Sequence, residues 1–396
     1  MSEFENIRKD FPILENIVYL DSASTSLTPI QVINSINEYF LRYNSNIGRG
    51  AYKIAIKAHD EVEESRENIS AFLNVKPEEI IFTKNTTEGI NLIANGLKFK
   101  PNDNVIISNI EHHSNFLPWL NLNKLGVETR IVEADEFGII NPKNIADMID
   151  NKTKLISISH VNNAIGSLQD VEKISKIAHD NNCLILIDGA QSLGHLPINI
   201  KKINPDFMAF PGHKGILGPV GTGFVYIKSE LADMITPQNL GGGTIVNLKN
   251  NEFILEKSPY RFEGGTQNIS GIIGLKNSVQ YINKLGIENI DKHCSNLTNN
   301  LYKSLNSMEN VKVYGKKENI KNIVSFNINN ANPHDISKIL DETGNICVRS
   351  GHHCNIPTMN LLKANEGTIR ASIHCYNNLN DINKLIYLVE EISSIF

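Results

Sequence analysis

The chain lacks any long apolar run: nothing in its 396 residues approaches the ~20 consecutive apolar positions that a membrane-spanning helix needs. It also lacks a block of like charge. Lys and Arg number 38 against 43 Asp and Glu, a formal net charge of −5, so no basic tract is available to follow a nucleic-acid backbone. Cysteine is scarce and unpatterned. Cys183, Cys294, Cys347, Cys354 and Cys375 are odd in number and form no Cys-x-x-Cys, which argues against a disulfide framework and for reduced thiols in a cytoplasmic protein. Residues 1–10 are charged and have no apolar centre, unlike a secretory leader. Internal repeats and low-complexity linkers are missing too.

What is present is ordinary globular material, 41% hydrophobic and 20% charged, in a chain long enough for two cores. Strand-like runs at 80–83, 105–108, 129–132, 155–159, 184–187, 207–210 and 223–227 alternate with helical patterns. Strands separated by helices need crossover connections, so the pattern predicts an α/β fold with a mostly parallel seven-stranded sheet covered on both faces. A single long helical stretch follows, from residue 272 to about residue 305. Beyond it, strands at 311–314, 323–326, 347–349 and 368–374, with helices at 333–342 and 379–395, predict a smaller α+β domain. The expected division is a large domain over 16–283 and a small domain over 284–396, with residues 1–15 packed on the small one.

Two charged residues sit where such a sheet does chemistry. Asp188 ends the run 184–187 and Lys214 follows the run 207–210, so both emerge at strand ends, where open α/β sheets bind ligands. A carboxylate and a lysine in that position match the needs of pyridoxal phosphate. The amine forms a Schiff base with the aldehyde, and the acid keeps the ring nitrogen protonated so the ring can accept electrons. Taken singly, the two also read as a surface lysine and a capping aspartate. Thr86-Thr-Glu-Gly opens a helical pattern, where hydroxyls and free N–H groups suit a phosphate, or where Thr86 is simply an N-cap. His112 lies at a turn after a strand, able to lay its ring over a pyridine face. Cys354 stands in a polar stretch and so on an accessible loop, with Arg349, His352 and His353 close enough in sequence to favour a thiolate. Cys183, Cys347 and Cys375 lie in strand-like runs and read as small buried hydrophobes. A metal site on His352-His-Cys354 is the rival reading. Adjacent histidines point apart in extended chain and no further ligand is close, so no metal is expected.

Six motifs now stand in order: Thr86-Thr-Glu-Gly-Ile-Asn91, Glu111-His-His-Ser-Asn115, Asp188-Gly-Ala-Gln191, Gly212-His-Lys214, Arg261-Phe-Glu-Gly-Gly-Thr266 and Val348-Arg-Ser-Gly-His-His-Cys354. With them, nearly end to end, the chain resembles the fold-type I, class V aminotransferase-like pyridoxal phosphate enzymes. More narrowly it resembles the group II cysteine desulfurases, which mobilise sulfur for iron–sulfur cluster assembly. The resemblance implies that Lys214 carries the coenzyme and takes the substrate's Cα proton, that Asp188 faces the ring nitrogen, and that Thr86, Thr87 and His213 meet the phosphate. It places His112 on the ring as stacking partner and proton relay, and Asn163 and Gln191 near the ring hydroxyl. It assigns the substrate carboxylate to Arg370, helped by Asn163 and by Arg49 of a neighbouring subunit. Thr266 would reach across a homodimer interface to the partner's phosphate. Cys354 would receive sulfur from L-cysteine as a persulfide, release L-alanine, and pass the sulfur to an acceptor protein.

The sequence also departs from that family. Pro211 stands where the pattern has a phosphate-binding serine, and Gly215-Ile-Leu-Gly218 is one residue longer than usual, so the phosphate is expected to lose a hydrogen bond. Two other readings stay open: a selenocysteine lyase or another class V lyase or aminotransferase, and a non-catalytic scaffold of the same fold.

Overall fold

A computed structural model describes residues 3–48 and 50–396. Its centre is a seven-stranded sheet in the order Ile80–Thr83, Gly223–Ile227, Phe207–Pro211, Leu184–Asp188, Thr153–Ser159, Asn104–Ser108, Glu128–Val132. Only Gly223–Ile227 runs antiparallel to its neighbours. The alternation of strands with helices therefore yields the expected α/β fold with a mostly parallel sheet. The inner strands are continuous runs of Ile, Leu, Val and Phe because both their faces are covered. One apolar cluster, with Ile106, Ile156, Ile185 and Phe210, packs under helices Lys53–Leu73 and Ile269–Leu285. The other, with Ile107, Leu186, Phe207 and Val225, packs under helix Thr86–Gly96 and around the buried Trp119.

A four-stranded antiparallel sheet forms the second core, in the order Val311–Tyr314, Ile323–Ile328, Thr368–Ser372, Arg349–Gly351. Helices Ile287–Asn306, Pro333–Gly344 and Leu379–Ser393 share its apolar cluster. Ile7, Phe11, Leu14, Val18 and Leu20 belong to that cluster as well, and Arg8 pairs with Asp381 at 2.7 Å. Val18–Tyr19 pairs in parallel with Ile346–Cys347.

The single helix expected over 272–305 is two helices. Gly286, at φ +78°, ends Ile269–Leu285 and starts Ile287–Asn306. A left-handed residue there is easy for glycine and cannot continue a right-handed helix. The first helix stays with the large sheet and the second turns to the small one. A hairpin, Ile245–Lys249 with Glu252–Leu255, turns through Asn250 and Asn251, both at positive φ. Among the described residues no helix is long and apolar enough to cross a membrane.

Candidate active site

The carboxyl ends of the parallel strands open into a cavity of about 260 Å³, with Thr86, His112, Asn163, Asp188, Lys214 and Arg370 among its walls. Asp188 is the last residue of Leu184–Asp188 and only 4% exposed. Ala190 N–H donates to its Oδ1 at 2.9 Å. Burial raises the Asp188 pKa, while that N–H and the nearby Lys214 oppose the rise. Lys214 lies just beyond Phe207–Pro211, in a loop closed by Gly218 N–H donating to Gly212 O (2.8 Å) and Leu217 N–H donating to Lys214 O (2.9 Å). Burial pulls the Lys214 amine down to about 8. Arg370 and Arg349 push it the same way, and Asp188 and Cys354 push it back.

One end of the cavity is built for an anion. Helix Thr86–Gly96 points its first turn there, capped by Asn85, whose Oδ1 accepts from Glu88 N–H at 2.9 Å. Thr86 Oγ1 and His213 Nδ1 are buried there without a hydrogen-bond partner. A buried polar atom left unpaired is costly, so the orphaned atoms and the helix start fit the phosphate of pyridoxal phosphate. Thr87 lines the same wall but shares its hydroxyl with Ser114 Oγ (2.7 Å). Pro211 lines it too, with neither hydroxyl nor N–H to offer. His112 accepts from Ser114 N–H at its Nδ1 (3.0 Å), which leaves the proton on Nε2. Burial and then Lys214 depress it to about 3, so the ring is neutral. His213 is held down to about 4 by the same two causes. Gln191 is buried and donates from Nε2 to Ala23 O at 2.8 Å.

The opposite wall comes from the small sheet. Arg349 and Arg370 face each other in register on adjacent strands. Arg370, 1% exposed, donates to Asn163 O (2.8 Å), Asp21 Oδ1 (3.0 Å) and Ser24 Oγ (2.7 Å), and its Nε is left without a partner. Arg349 donates to the same Ser24 Oγ (2.6 Å) and reaches Cys354 Sγ at 3.8 Å. Cys354 is the exposed cysteine of the five; Cys347 is half-buried and the rest are buried. The loop expected at Cys354 is a tight turn: His353 and Cys354 both have positive φ, +54° and +55°. His353 does not supply positive charge beside the sulfur. It is buried, hydrogen-bonded through Nε2 to Thr368 Oγ1 (2.8 Å), and depressed to about 2 by burial and then Arg370. Arg349 is the cation that faces Sγ.

One expected residue is not brought to this cavity within the chain. Thr266 is exposed and lines a separate cleft shared with Asn46, Gly48 and Tyr52. Arg49 lies outside the described residues. Among the described residues no group of three or more His, Cys, Asp or Glu is placed to hold a metal. The sequence reading also missed Asp21, Ser24 and Asn355. The run of small polar residues after Tyr19 was the available signal for the first two; Asn355 had none, because its partners are distant in sequence.

With the geometry in place, comparison with known proteins is specific. The Aminotransferase class-V family model matches residues 18–385. A probable cysteine desulfurase of Methanothermobacter thermautotrophicus is 49% identical over 98% of this chain and 98% of its own. The apo structure of cysteine desulfurase from Thermococcus onnurineus NA1 superposes with a TM-score of 0.96 at 40% identity, covering 99% of this chain and 98% of that one. The cysteine desulfurase CsdA (S-sulfonic acid) from Escherichia coli superposes at 0.92 with 26% identity, covering 100% of both. From the shared fold, the match over residues 18–385 and the identity to full-length relatives, the chain belongs to the aminotransferase class-V family.

Proposed function

We propose that the chain is a cysteine desulfurase that converts L-cysteine to L-alanine and carries the sulfur as a persulfide on Cys354. The observation that carries this reading is the exposed Cys354 sulfur, 3.8 Å from Arg349, on a turn that abuts the Lys214 cavity. The relatives named as cysteine desulfurases support it, at up to 49% identity over nearly the full length.

Pyridoxal phosphate held at Lys214 supplies an electron sink for loss of the Cα proton and release of the sulfur. The protein does the rest. Thr86, His213 and the helix start would hold the phosphate, and Asp188 would keep a proton on the ring nitrogen. Arg370 takes the substrate carboxylate through a planar fork already aligned by Asp21, Ser24 and Asn163 O. Lys214 accepts the Cα proton, which a pKa of about 8 allows near neutrality. His112, neutral with its proton on Nε2, would stack on the ring and steer a reacting atom by donating a hydrogen bond to it. Cys354 then attacks the substrate sulfur; the carbon–sulfur bond breaks, alanine leaves, and the sulfur stays on the enzyme until an acceptor protein takes it for cluster assembly or another use.

The same reading includes a homodimer in the cytoplasm in which Thr266 serves the partner's phosphate. The hairpin supports it, because Val246, Leu248, Phe253 and Ile254 are 63%, 63%, 49% and 62% exposed, more apolar surface than one short element leaves to water without a partner.

Cys354→Ser in coenzyme-loaded protein is the test. Alanine release from L-cysteine is expected to fall by roughly 10²-fold or more, with the visible absorption of the bound coenzyme unchanged. Undiminished release would remove the persulfide route, and activity confined to selenocysteine would assign the chain to the lyases instead.

A further inference from the structure

The residue after the reactive cysteine has its whole side-chain amide engaged in hydrogen bonds. Asn355 is 0% exposed, although it adjoins the exposed Cys354. Its Nδ2 donates to Ile110 O (3.0 Å) and to Asn163 Oδ1 (2.9 Å), and its Oδ1 accepts from Thr358 N–H (3.1 Å). Each amide hydrogen and the carbonyl thus has a partner. Two of these bonds cross from the small-sheet part of the chain to the large-sheet part. The third caps helix Ile356–Leu361.

The crossing bonds end at informative places. Ile110 lies between strand Asn104–Ser108 and His112, and its carbonyl also accepts from Asn162 Nδ2 at 2.7 Å. Asn163 lines the coenzyme cavity, anchors Arg370 through its backbone carbonyl, and donates from its own Nδ2 to His353 O at 2.7 Å. His113 completes the contact: its N–H donates to Cys354 O (2.9 Å), and its Nε2 accepts from Ile356 N–H (3.2 Å). The turn so held contains consecutive non-glycine residues with φ near +55°, a conformation that needs outside support to persist. The Cys354 side chain supplies little of that support, since it is exposed and meets only the Arg349 guanidinium, at 3.8 Å.

We propose that Asn355 is the positioning residue for the reactive thiol: its side chain clamps the Cys354 turn to Ile110 and Asn163, fixing the sulfur relative to His112 and Arg370. This rests on the desulfurase reading for its kinetic consequence, and on the hydrogen bonds alone for its structural one. The sulfur is therefore presented at a set point, and an acceptor comes to it.

The discriminating variant is Asn355→Ser, which keeps an oxygen to cap helix Ile356–Leu361 but cannot reach both Ile110 and Asn163. Asn355→Ala, which removes cap and clamp together, is the companion. In coenzyme-loaded protein, exchange of the Cα hydrogen of L-alanine with deuterated solvent reports Lys214 and Arg370 without the thiol. Alanine release from L-cysteine reports the thiol step. For Asn355→Ser we expect exchange within about twofold of wild type and alanine release slowed about 10- to 100-fold, the scale of a misplaced reacting group. Equal loss of both rates would reduce Asn355 to a general structural role, and wild-type behaviour of Asn355→Ser would reduce it to a helix cap; either overturns the clamp. If the wild type releases no alanine from cysteine, the desulfurase reading fails by itself. The clamp is then decided by iodoacetamide labelling of Cys354, read by mass spectrometry: a several-fold faster rate in Asn355→Ser upholds it, and an unchanged rate overturns it.

Discussion

An ordinary lysine, with a pKa of ~10.4, is almost wholly protonated at pH 7 and is neither nucleophile nor base. Lys214 differs because its cavity burdens the charged form, through burial first and the Arg370 and Arg349 charges next. A lowered pKa means that the neutral amine appears at lower pH, so uptake of pyridoxal phosphate by the apoprotein should accelerate as pH rises through about 8 and level off above it. Removing Arg370 takes away a cation that lowers this pKa, so Arg370→Ala should move the midpoint to higher pH in stopped-flow absorbance. A midpoint that stays put or falls would show that the Arg370 charge does not act on the amine. Asp188 was legible in the sequence because a strand end fixes where its last residue points, and Lys214 because it follows another strand end within three residues. The setting of Cys354 was not, because it depends on Asn163, Ile110 and His113, all far away along the chain. Asparagine has a backbone use here that composition alone did not reveal. Asn74, Asn102, Asn204 and Asn345 are among those that take left-handed conformations at turns and helix ends, a geometry asparagine tolerates better than most residues. The non-glycine exceptions among the described residues are Leu217, His353, Cys354 and Lys363, and three of these flank the Lys214–Cys354 site. Strain of that kind concentrates where function needs a particular geometry.

At the scale of elements, the phosphate end is one helix start and one strand end facing each other. The helix Thr86–Gly96 was readable from Thr86-Thr-Glu-Gly before an apolar pattern, but its cap is Asn85, one residue ahead of the Thr86 cap that the sequence suggests. The strand Phe207–Pro211 runs one residue further than its apolar core, so that Pro211 pairs with Gly223 and lines the cavity. Proline is tolerated at that last position because the ladder asks nothing more of its nitrogen. Pro211→Ser should therefore fold normally and add a hydroxyl to the anion site. A hydrogen bond to a charged group is worth about 1.5–3 kcal/mol, so coenzyme binding should tighten by roughly tenfold or more in equilibrium dialysis. Unchanged or weaker binding would mean that the phosphate does not sit against this strand end. Elsewhere the sequence was harder to read. A continuous helical pattern hid the break at Gly286, since apolar periodicity carries through a left-handed glycine that only tertiary packing makes a hinge. The hairpin at Asn250-Asn251 had its turn signal in plain view, but its strands are exposed and short, and the second, Glu252–Leu255, has no alternation to mark it.

Across the whole molecule, the segment ending at Thr266 is braced with more care than its own cavity requires. Glu263 accepts from Arg66 Nη1 and Nη2 at 2.8 and 2.9 Å and from Phe82 N–H at 2.7 Å, with Arg66 only 2% exposed. A buried, bidentate pair of this kind fixes geometry. Yet the threonine it supports is exposed and lines a cleft away from Lys214. A rigid arm holding a polar residue outward makes physical sense if its target is on another copy, as the proposed homodimer requires. Complementation between inactive variants tests this without a structure of the assembly. Lys214→Ala lacks the amine, and Thr266→Asp sets a carboxylate against a phosphate. If each site takes Lys214 from one chain and Thr266 from the other, a mixed dimer has one site with both residues intact and one with neither. Random reassociation of equal amounts makes half the dimers mixed, so alanine release should recover to about a quarter of the wild-type value, where each variant alone is nearly inactive. Were both residues to serve the same chain's site, every site in the mixture would carry one defect and mixing would restore nothing.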